Sequence, residues 1–252
     1  MSAPLSEPAC HLCMLDPVCA ARAGRAAAPI QPRQRNLRAG DPLYRQERPA
    51  LAAFALRAGA AKLVYRAASG RDQVIDYALA GDVLGIGLCP DSATQYAESA
   101  TALQPSVVCE VPVEALRSAL AHGAVHAAMR AAVQRADQRR RTQLVSLGSL
   151  SGPQRLATLL LDLQAEHARR GLPAPITLPL SRTDIASYIG VTLETVSRLV
   201  TRFASAGLIQ VQQRFVRIID PAGLQWLLAG DGDSPRIAAP LASPMAGEDV
   251  TA

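Results

Sequence analysis

The stretch ACHLCMLDPVC, residues 9 to 19, holds three of the chain's five cysteines, Cys10, Cys13 and Cys19, in a C-x2-C-x5-C spacing. Thiolates are soft metal ligands, and a C-x-x-C pair lets one turn supply two of them. A fourth cysteine, Cys109, lies far along the chain in SVVCEV. Four thiolates meet the count for a cubane iron–sulfur core, one per iron, and equally for a four-sulfur zinc site. The spacing is not that of a ferredoxin, so the residues alone leave both metals open. Thiols without a metal role are disfavoured, because three exposed cysteines close together invite oxidation. Cys89, in GIGLCPDS, reads as a small buried hydrophobe. His122 and His126 have the i, i+4 spacing of helical metal ligands, but no third ligand accompanies them, and a solvated helix face accounts for them. His11 stands between the first two cysteines without being needed by them.

Composition narrows the setting. The chain has 252 residues, 49% of them hydrophobic and 19% charged, enough for a sizeable core and for two domains. A basic region followed by an apolar one is absent from the start, and nowhere do about 18 apolar residues run uninterrupted. The expectation is a cytoplasmic protein with no membrane partner, in a reducing compartment where clustered cysteines bind metal rather than pair. The net charge is +5 and Lys62 is the only lysine, so arginine carries the basic balance. Such a charge permits polyanion binding without requiring it.

The elements that must position these residues follow from changes of period. From residue 37 to 111, glycines at 40, 59, 70 and 81 separate the runs LAAFAL, KLVYR, QVIDYAL and SVVCEV. Glycine punctuation around partly alternating runs predicts an antiparallel roll of the jelly-roll kind. Pro112 suits a first helical turn, and from Glu114 to about Leu147 there is no other proline and one internal glycine, Gly123. Within this stretch Met129, Val133, Ala136, Arg140, Leu144 and Leu147 follow steps of 4, 3, 4, 4 and 3, the seam of a helix that pairs with another. A dimer stalk over 112–148 is expected, the alternative being a helix folded back on its own domain. The N-terminal 1–36 then carries cysteines, 149–228 forms a compact helical unit, and 229–252, rich in Ala, Pro, Gly and Asp, reads as a disordered tail.

The most specific segment is LSRTDIASYIGVTLETVSRLVTRFASAGLI, residues 180 to 209. Ser181 and Asp184 form a capping-box pair at the start of one helix, with Ile185, Ala186 and Ile189 on its buried face. Gly190 closes that helix, Thr192 caps the next, and Val196, Leu199, Val200 and Phe203 make the second apolar stripe. Two short helices joined by a tight glycine turn match a helix-turn-helix. Burying the second stripe leaves Glu194, Ser197, Arg198 and Arg202 outward, with Thr195 beside them: arginine for guanine, a carboxylate for cytosine, hydroxyls for either. An ordinary helical hairpin with a solvated face is the plain alternative. LIQVQQRFVRII then alternates as a β-hairpin wing, with Arg214 and Arg217 placed for phosphates.

The order roll, long helix, winged helix-turn-helix, with TDIASYIGVTLETVSRLVTRF inside it, resembles the cyclic-AMP receptor and fumarate-nitrate regulator superfamily of bacterial transcription factors, over about residues 38 to 228. AGDVLG, VVCEVP and the N-terminal cysteines resemble its fumarate-nitrate regulator branch most. The resemblance implies an α+β fold whose N-terminal β-roll is like a cyclic-nucleotide-binding jelly roll. It implies a [4Fe-4S] cluster on Cys10, Cys13, Cys19 and Cys109, with Glu194, Ser197 and Arg198 as base readers. It further implies a homodimer on a palindromic double-stranded DNA operator, control of anaerobic genes, and contact with RNA polymerase, for which the turn at Ser69 and Gly70 is a candidate surface. The linker after Cys19, with Pro29 and Pro32, is shorter than that branch leads one to expect.

The sister branch pairs a cyclic-nucleotide phosphate with an arginine in the roll, whereas no Arg, Lys or His occurs here from Asp72 to Leu116. Cyclic-nucleotide control and a roll histidine for haem are therefore not expected. No phosphate loop, nucleophile elbow or H-E-x-x-H occurs, so no catalysis is expected. The run Arg139, Arg140, Arg141 near the seam would set like charges against each other in a dimer and keep it marginal, unless these side chains turn outward or reach DNA phosphate.

Overall fold

The computed structural model describes residues 9–13, 15–16, 19, 30–85, 95–172 and 175–230. Cys89 and residues 231–252 of the expected tail lie outside these; Ala229, placed in that tail from the sequence, ends a helix. A 3-10 turn at Ala9–Leu12 is followed by β1 (Arg33–Leu37), β2 (Pro42–Tyr44), β3 (Ala52–Ala58), β4 (Ala60–Arg66), β5 (Asp72–Leu79), β6 (Val83–Leu84), β7 (Ser99–Ala102) and β8 (Ser106–Pro112). The strands form two antiparallel four-stranded sheets, ordered β1-β8-β3-β6 and β2-β7-β4-β5. The expected roll is thus present, and its glycine turns are real: Gly40, Gly59, Gly70 and Gly81 all have positive φ. Gly59 is also sterically required, because a Cβ there would fall 2.1 Å from Ser106 Oγ.

The pleat of β8 splits its residues between two cores. Val108 packs between the sheets with Phe54, Leu56 and Leu63. Val111 faces outward and joins Ala53, Leu15, Cys19 and Ile30 in a second cluster.

That outer cluster is closed by helices. α1 spans Val113–Leu120 and α2 spans Gly123–Ser149. The single long helix expected from the sequence is therefore two, broken at His122, which is extended (φ −84°, ψ 117°). The elbow lets Leu116 and Ala119 of α1 and Val125 and Met129 of α2 cover one patch of sheet. It also packs part of the expected seam against the chain's own roll. Met129 is buried and Val133 partly buried within the same chain, whereas Leu144 and Val145 are 71% and 60% exposed. Ala136 is half-buried and Arg140 exposed. A periodicity of 3 and 4 reports a buried stripe but not what buries it.

The C-terminal unit comprises α3 (Gly152–Arg169), β9 (Ile176–Thr177), α4 (Arg182–Ile189), α5 (Leu193–Ser205), β10 (Ile209–Gln212), β11 (Phe215–Ile218) and α6 (Pro221–Ala229). The wing hairpin β10–β11 gains a third strand, β9, that the sequence did not announce. One core holds this unit together and extends into the roll. Leu156, Leu160, Leu163, Ile185, Ile189, Val196 and Phe203 share it with Val74, Tyr77 and Leu79 of β5.

The unit docks on the roll through α4. Lys62 Nζ lies 2.5 Å from Asp184 Oδ1, Val74 N donates to Ser187 Oγ at 2.9 Å, and the Tyr77 and Tyr188 rings meet edge-on at 5.8 Å. Arg170 reaches back from the end of α3 to Asp82 at 3.0 Å and to the Ala80 carbonyl at 3.1 Å. Arg139 faces Asp76 at 3.7 Å, so this member of the arginine run points into its own chain, while Arg141 pairs with Asp137. Arg155 donates to the carbonyls of Leu147, Leu150 and Ile189, tying the last turns of α2 and α4 together. Helix ends leave such carbonyls without internal partners, which is why a guanidinium fits there.

Burial alone would raise the Asp184 carboxyl, but hydrogen bonds from Lys62 and Ser181 outweigh it and hold the group below the usual carboxylate value. A depressed carboxylate stabilises the fold fully above about pH 4 and loses that contribution as the pH falls further. Lys62→Met is expected to cost about 1–2 kcal/mol near neutral pH, since it strips a partly buried carboxylate of its cation. Urea unfolding checks this, and the gap between variant and wild type should shrink as the pH falls through the lowered Asp184 titration.

Candidate metal centre and nucleic-acid interface

The N-terminal cysteines are set by a chain of turns three residues apart. Cys13 N donates to the Cys10 carbonyl at 3.0 Å, Asp16 N to Cys13 at 3.0 Å, and Cys19 N to Asp16 at 3.4 Å. In turns of about three residues, positions three apart fall on one side. Cys10, Cys13, Asp16 and Cys19 accordingly all line one cavity. The C-x2-C-x5-C spacing is thus 3 plus 6, with Asp16 in the vacant register position. Cys19 is further fixed by a parallel bridge to Ile30.

The opposite wall is the outer face of the sheet. Cys109 on β8 stands in register with Ala55 on β3 and Gln34 on β1. The β3–β8 register shifts between Leu56 and Ala58, leaving Arg57 at a bulge. Bulges re-aim side chains, and Arg57 lines the cavity beside Cys109, its Nη1 donating to Gln34 Oε1 at 2.7 Å. Leu15, Leu56 and Val111 complete an apolar lining. The tertiary structure thereby brings Cys109 to the three cysteines from which it is separated by most of the roll.

Burial pushes the Cys13 thiol up to about 12 and the Cys109 thiol up to about 11, with the other cysteines adding to the rise and Arg57 opposing it at Cys109. Left to themselves these sulfurs keep their protons at neutral pH, and a bound metal is what would displace them. Among the described residues, no three His, Cys, Asp or Glu side chains stand at the spacing of a single-ion site. The four cysteines line one cavity from two sides, three from the N-terminal turns and Cys109 from the sheet. Four thiols meet the ligand count of a [4Fe-4S] core and equally that of a four-sulfur zinc site. Asp16 and Arg57 are the site residues that motif reasoning did not pick out; the multiple-of-three spacing was the available signal for the first, and nothing local marked the second.

A separate cavity of about 230 Å³ lies between the roll and α2. Asp76, Asp82 and Glu98 stand at its walls, and its arginines, Arg135, Arg139 and Arg140, come from the helix. Cations absent from residues 72 to 116 are thus supplied by another element. Arg139 is already engaged with Asp76.

On the other unit, α4 starts with the expected capping box of Ser181 and Asp184 and ends at Gly190 in the left-handed region. Thr192 caps α5, accepting from Thr195 N at 3.2 Å. Val196, Leu199, Val200 and Phe203 are buried, and Glu194, Ser197 and Arg198 are exposed. Thr195 is half-buried and bonded to its cap, and Arg202 is half-buried. Arg198 Nη2 lies 2.5 Å from Glu194 Oε1, an ion pair 79% and 71% exposed, so the two functional groups already point outward together. The wing turns at Gln213, with φ 56°, and leaves Arg214 and Arg217 exposed.

The description "Crp-like helix-turn-helix domain" matches residues 154–227, and "cyclic nucleotide-binding domain" matches 34–122. The transcriptional regulatory protein btr of Bordetella pertussis is 33% identical over 235 residues, covering 89% of this chain and 96% of that protein. The chain belongs to the Crp/Fnr superfamily. A further member, the transcriptional activator protein FnrA of Stutzerimonas stutzeri, is 32% identical over 81% of this chain and 84% of its own. Among solved structures, FixK2 from Bradyrhizobium japonicum matches with a TM-score of 0.70 and 25% identity, over 78% of this chain and 97% of that one. This Crp/Fnr protein is a DNA-binding transcription regulator near the fumarate-nitrate branch, and its relatives are regulators rather than enzymes. Among the described residues no helix is long and apolar enough to cross a membrane.

The helix-turn-helix geometry rests on Gly190. A Cβ there would meet Leu147 Cδ2 at 2.9 Å, on a backbone of φ +67° that side chains rarely adopt. Gly190→Ala is expected to lower stability by roughly 1–2 kcal/mol and to weaken DNA binding in proportion to the disturbed α4–α2 contact, read by thermal unfolding and by fluorescence anisotropy on one operator.

Proposed function

We propose that this chain is a homodimeric regulator whose grip on a palindromic operator is gated by an oxygen-labile [4Fe-4S] cluster on Cys10, Cys13, Cys19 and Cys109. The single observation carrying this reading is that four cysteines, three N-terminal and one from β8, line one apolar cavity. When bound, the cluster supplies a redox-labile core that oxygen dismantles. A core of four irons takes one thiolate each, and the likeness to the fumarate-nitrate branch favours it over a four-sulfur zinc site. Oxygen as the signal, and anaerobic genes as targets, follow from the likeness to the fumarate-nitrate branch.

The residues suggest how ligation reaches DNA. Holding the cysteine turns keeps Leu15 and Ile30 packed on Leu116, Ala119 and Met129, the elbow of α1 and α2. With the elbow braced, α2 presents Leu144 and Val145 to a symmetry mate. Arg140, exposed on the same helix, meets its counterpart and keeps the pairing marginal. A coupling of about 1–3 kcal/mol then decides oligomer state. Pairing sets two copies of α5 about 34 Å apart on successive major grooves. There Arg198, with Glu194 beside it, reads base edges with Ser197, Thr195 and Arg202 at hand, while Arg214 and Arg217 hold phosphate. The exposed hairpin tip at Ser69 and Gly70 is a surface for RNA polymerase.

Purification without air should yield about four iron and four sulfide per chain, bleaching in air, and Cys109→Ser should lose both the iron and tight operator binding. Stoichiometric zinc and an air-insensitive dimer would overturn the reading. For the DNA face, Arg198→Ala should cost about 1–3 kcal/mol and relax preference at one base pair. Arg214→Ala should weaken all sequences alike and reduce the salt slope by about 1. Binding titrations across a substituted operator series separate the two.

A further inference from the structure

The cysteine cavity contains two charged side chains that no metal-ligand role uses. Arg57 enters from the sheet, at the β3 bulge beside Cys109, and Asp16 enters from the N-terminal turns, between Cys13 and Cys19. We infer that these two opposed charges tune how readily a core held by the four cysteines is oxidised, Arg57 slowing its loss and Asp16 hastening it. The inference rests on the cluster reading above.

Four thiolates around a [4Fe-4S] core of charge 2+ carry a net negative charge, and oxidation removes one further electron, which dioxygen accepts to become superoxide; no proton moves. A neighbouring cation stabilises the more negative, reduced state, and a neighbouring carboxylate the oxidised one. The apolar lining from Leu15, Leu56 and Val111 limits the water available to screen either charge. Position matters as much as charge. Gln34, in register with Cys109, holds the Arg57 guanidinium at 2.7 Å, and Gln34 and Arg57 share the face that carries Cys109. Asp16 is held on the cysteine side by backbone hydrogen bonds at both ends of its turn, from its own N–H and to its carbonyl. Neither needs to touch the core to act on it; both are positioning residues for its electrostatic field.

The test uses the full chain, loaded without oxygen, with iron and sulfide counted for each variant before measurement. The readouts are the reduction potential by mediated optical titration and the rate of visible bleaching on adding air-saturated buffer. Arg57→Gln should bleach roughly 3–10-fold faster than wild type with a more negative potential, and Asp16→Asn should bleach more slowly by a similar factor with a more positive one. Arg57→Lys should restore the wild-type rate, and Gln34→Ala, which frees the guanidinium, should fall between wild type and Arg57→Gln. The differences should narrow as ionic strength rises. A merely structural role predicts otherwise, since loosening the cavity from either side speeds loss in both variants. Fully loaded Arg57→Gln and Asp16→Asn proteins that bleach at the wild-type rate, or that shift in the same direction, overturn the inference while leaving the cluster intact. A wild-type protein without iron and sulfide overturns the cluster reading itself, and this inference with it.

Discussion

Much of this structure depends on the pleat of one strand. In β8, alternate residues face opposite sides, so Val108 belongs to the core between the sheets while Cys109 and Val111 face the N-terminal segment and the helical elbow. A slip of one residue in the β3–β8 ladder would exchange those faces. Cys109 would then point into the roll, and Val108 would stand among the cysteine turns. The register is held on both flanks, by β1 through Gln34 opposite Cys109 and by β3 through Ala55. Small residues at Ala53 and Ala55 leave room above the sheet for the segment that carries the other three cysteines.

From that face the molecule divides into two mechanical halves that share contacts. The cysteine turns, the elbow and the outer sheet form one cluster, and the DNA-reading unit forms another with the face of β5. Between them run short polar links. Asp82 sits in the turn after β5, where a Cβ on Gly81 would strike Leu12 at 2.7 Å, and its carboxylate holds Arg170 at the end of α3. The cysteine segment therefore leans on the same turn that anchors the DNA-reading unit. Lys62, the only lysine in the chain, is placed where a single cation binds the capping carboxylate of α4. Asp184 thus serves helix initiation and domain docking at once.

The roll is legible in the sequence because its signals are local. Turns at Gly40, Gly59, Gly70 and Gly81 need a backbone that glycine adopts without cost, and the runs between them alternate. The helix-turn-helix was legible for the same reason: Ser181, Gly190 and Thr192 act on atoms within a few residues of themselves. Met129 and Leu144 carry the same periodic signal although one is covered by its own domain and the other is open. The break at His122 was missed because Gly123 is tolerated within a helix and nothing in the spacing demanded an elbow.

By itself the sequence determined the order of elements, the caps, the exposed face of α5 and the cysteine count, since each depends on short-range hydrogen bonding or on periodicity within one element. Only the tertiary structure decided that Cys109 meets the N-terminal turns, that Asp16 and Arg57 flank the same cavity, that Arg139 turns inward, and that Lys62 joins roll to reading head. Those outcomes depend on which face of which strand meets which helix. Such long-range contacts are fixed by the packing of whole surfaces, and no residue advertises its distant partner in its own neighbourhood.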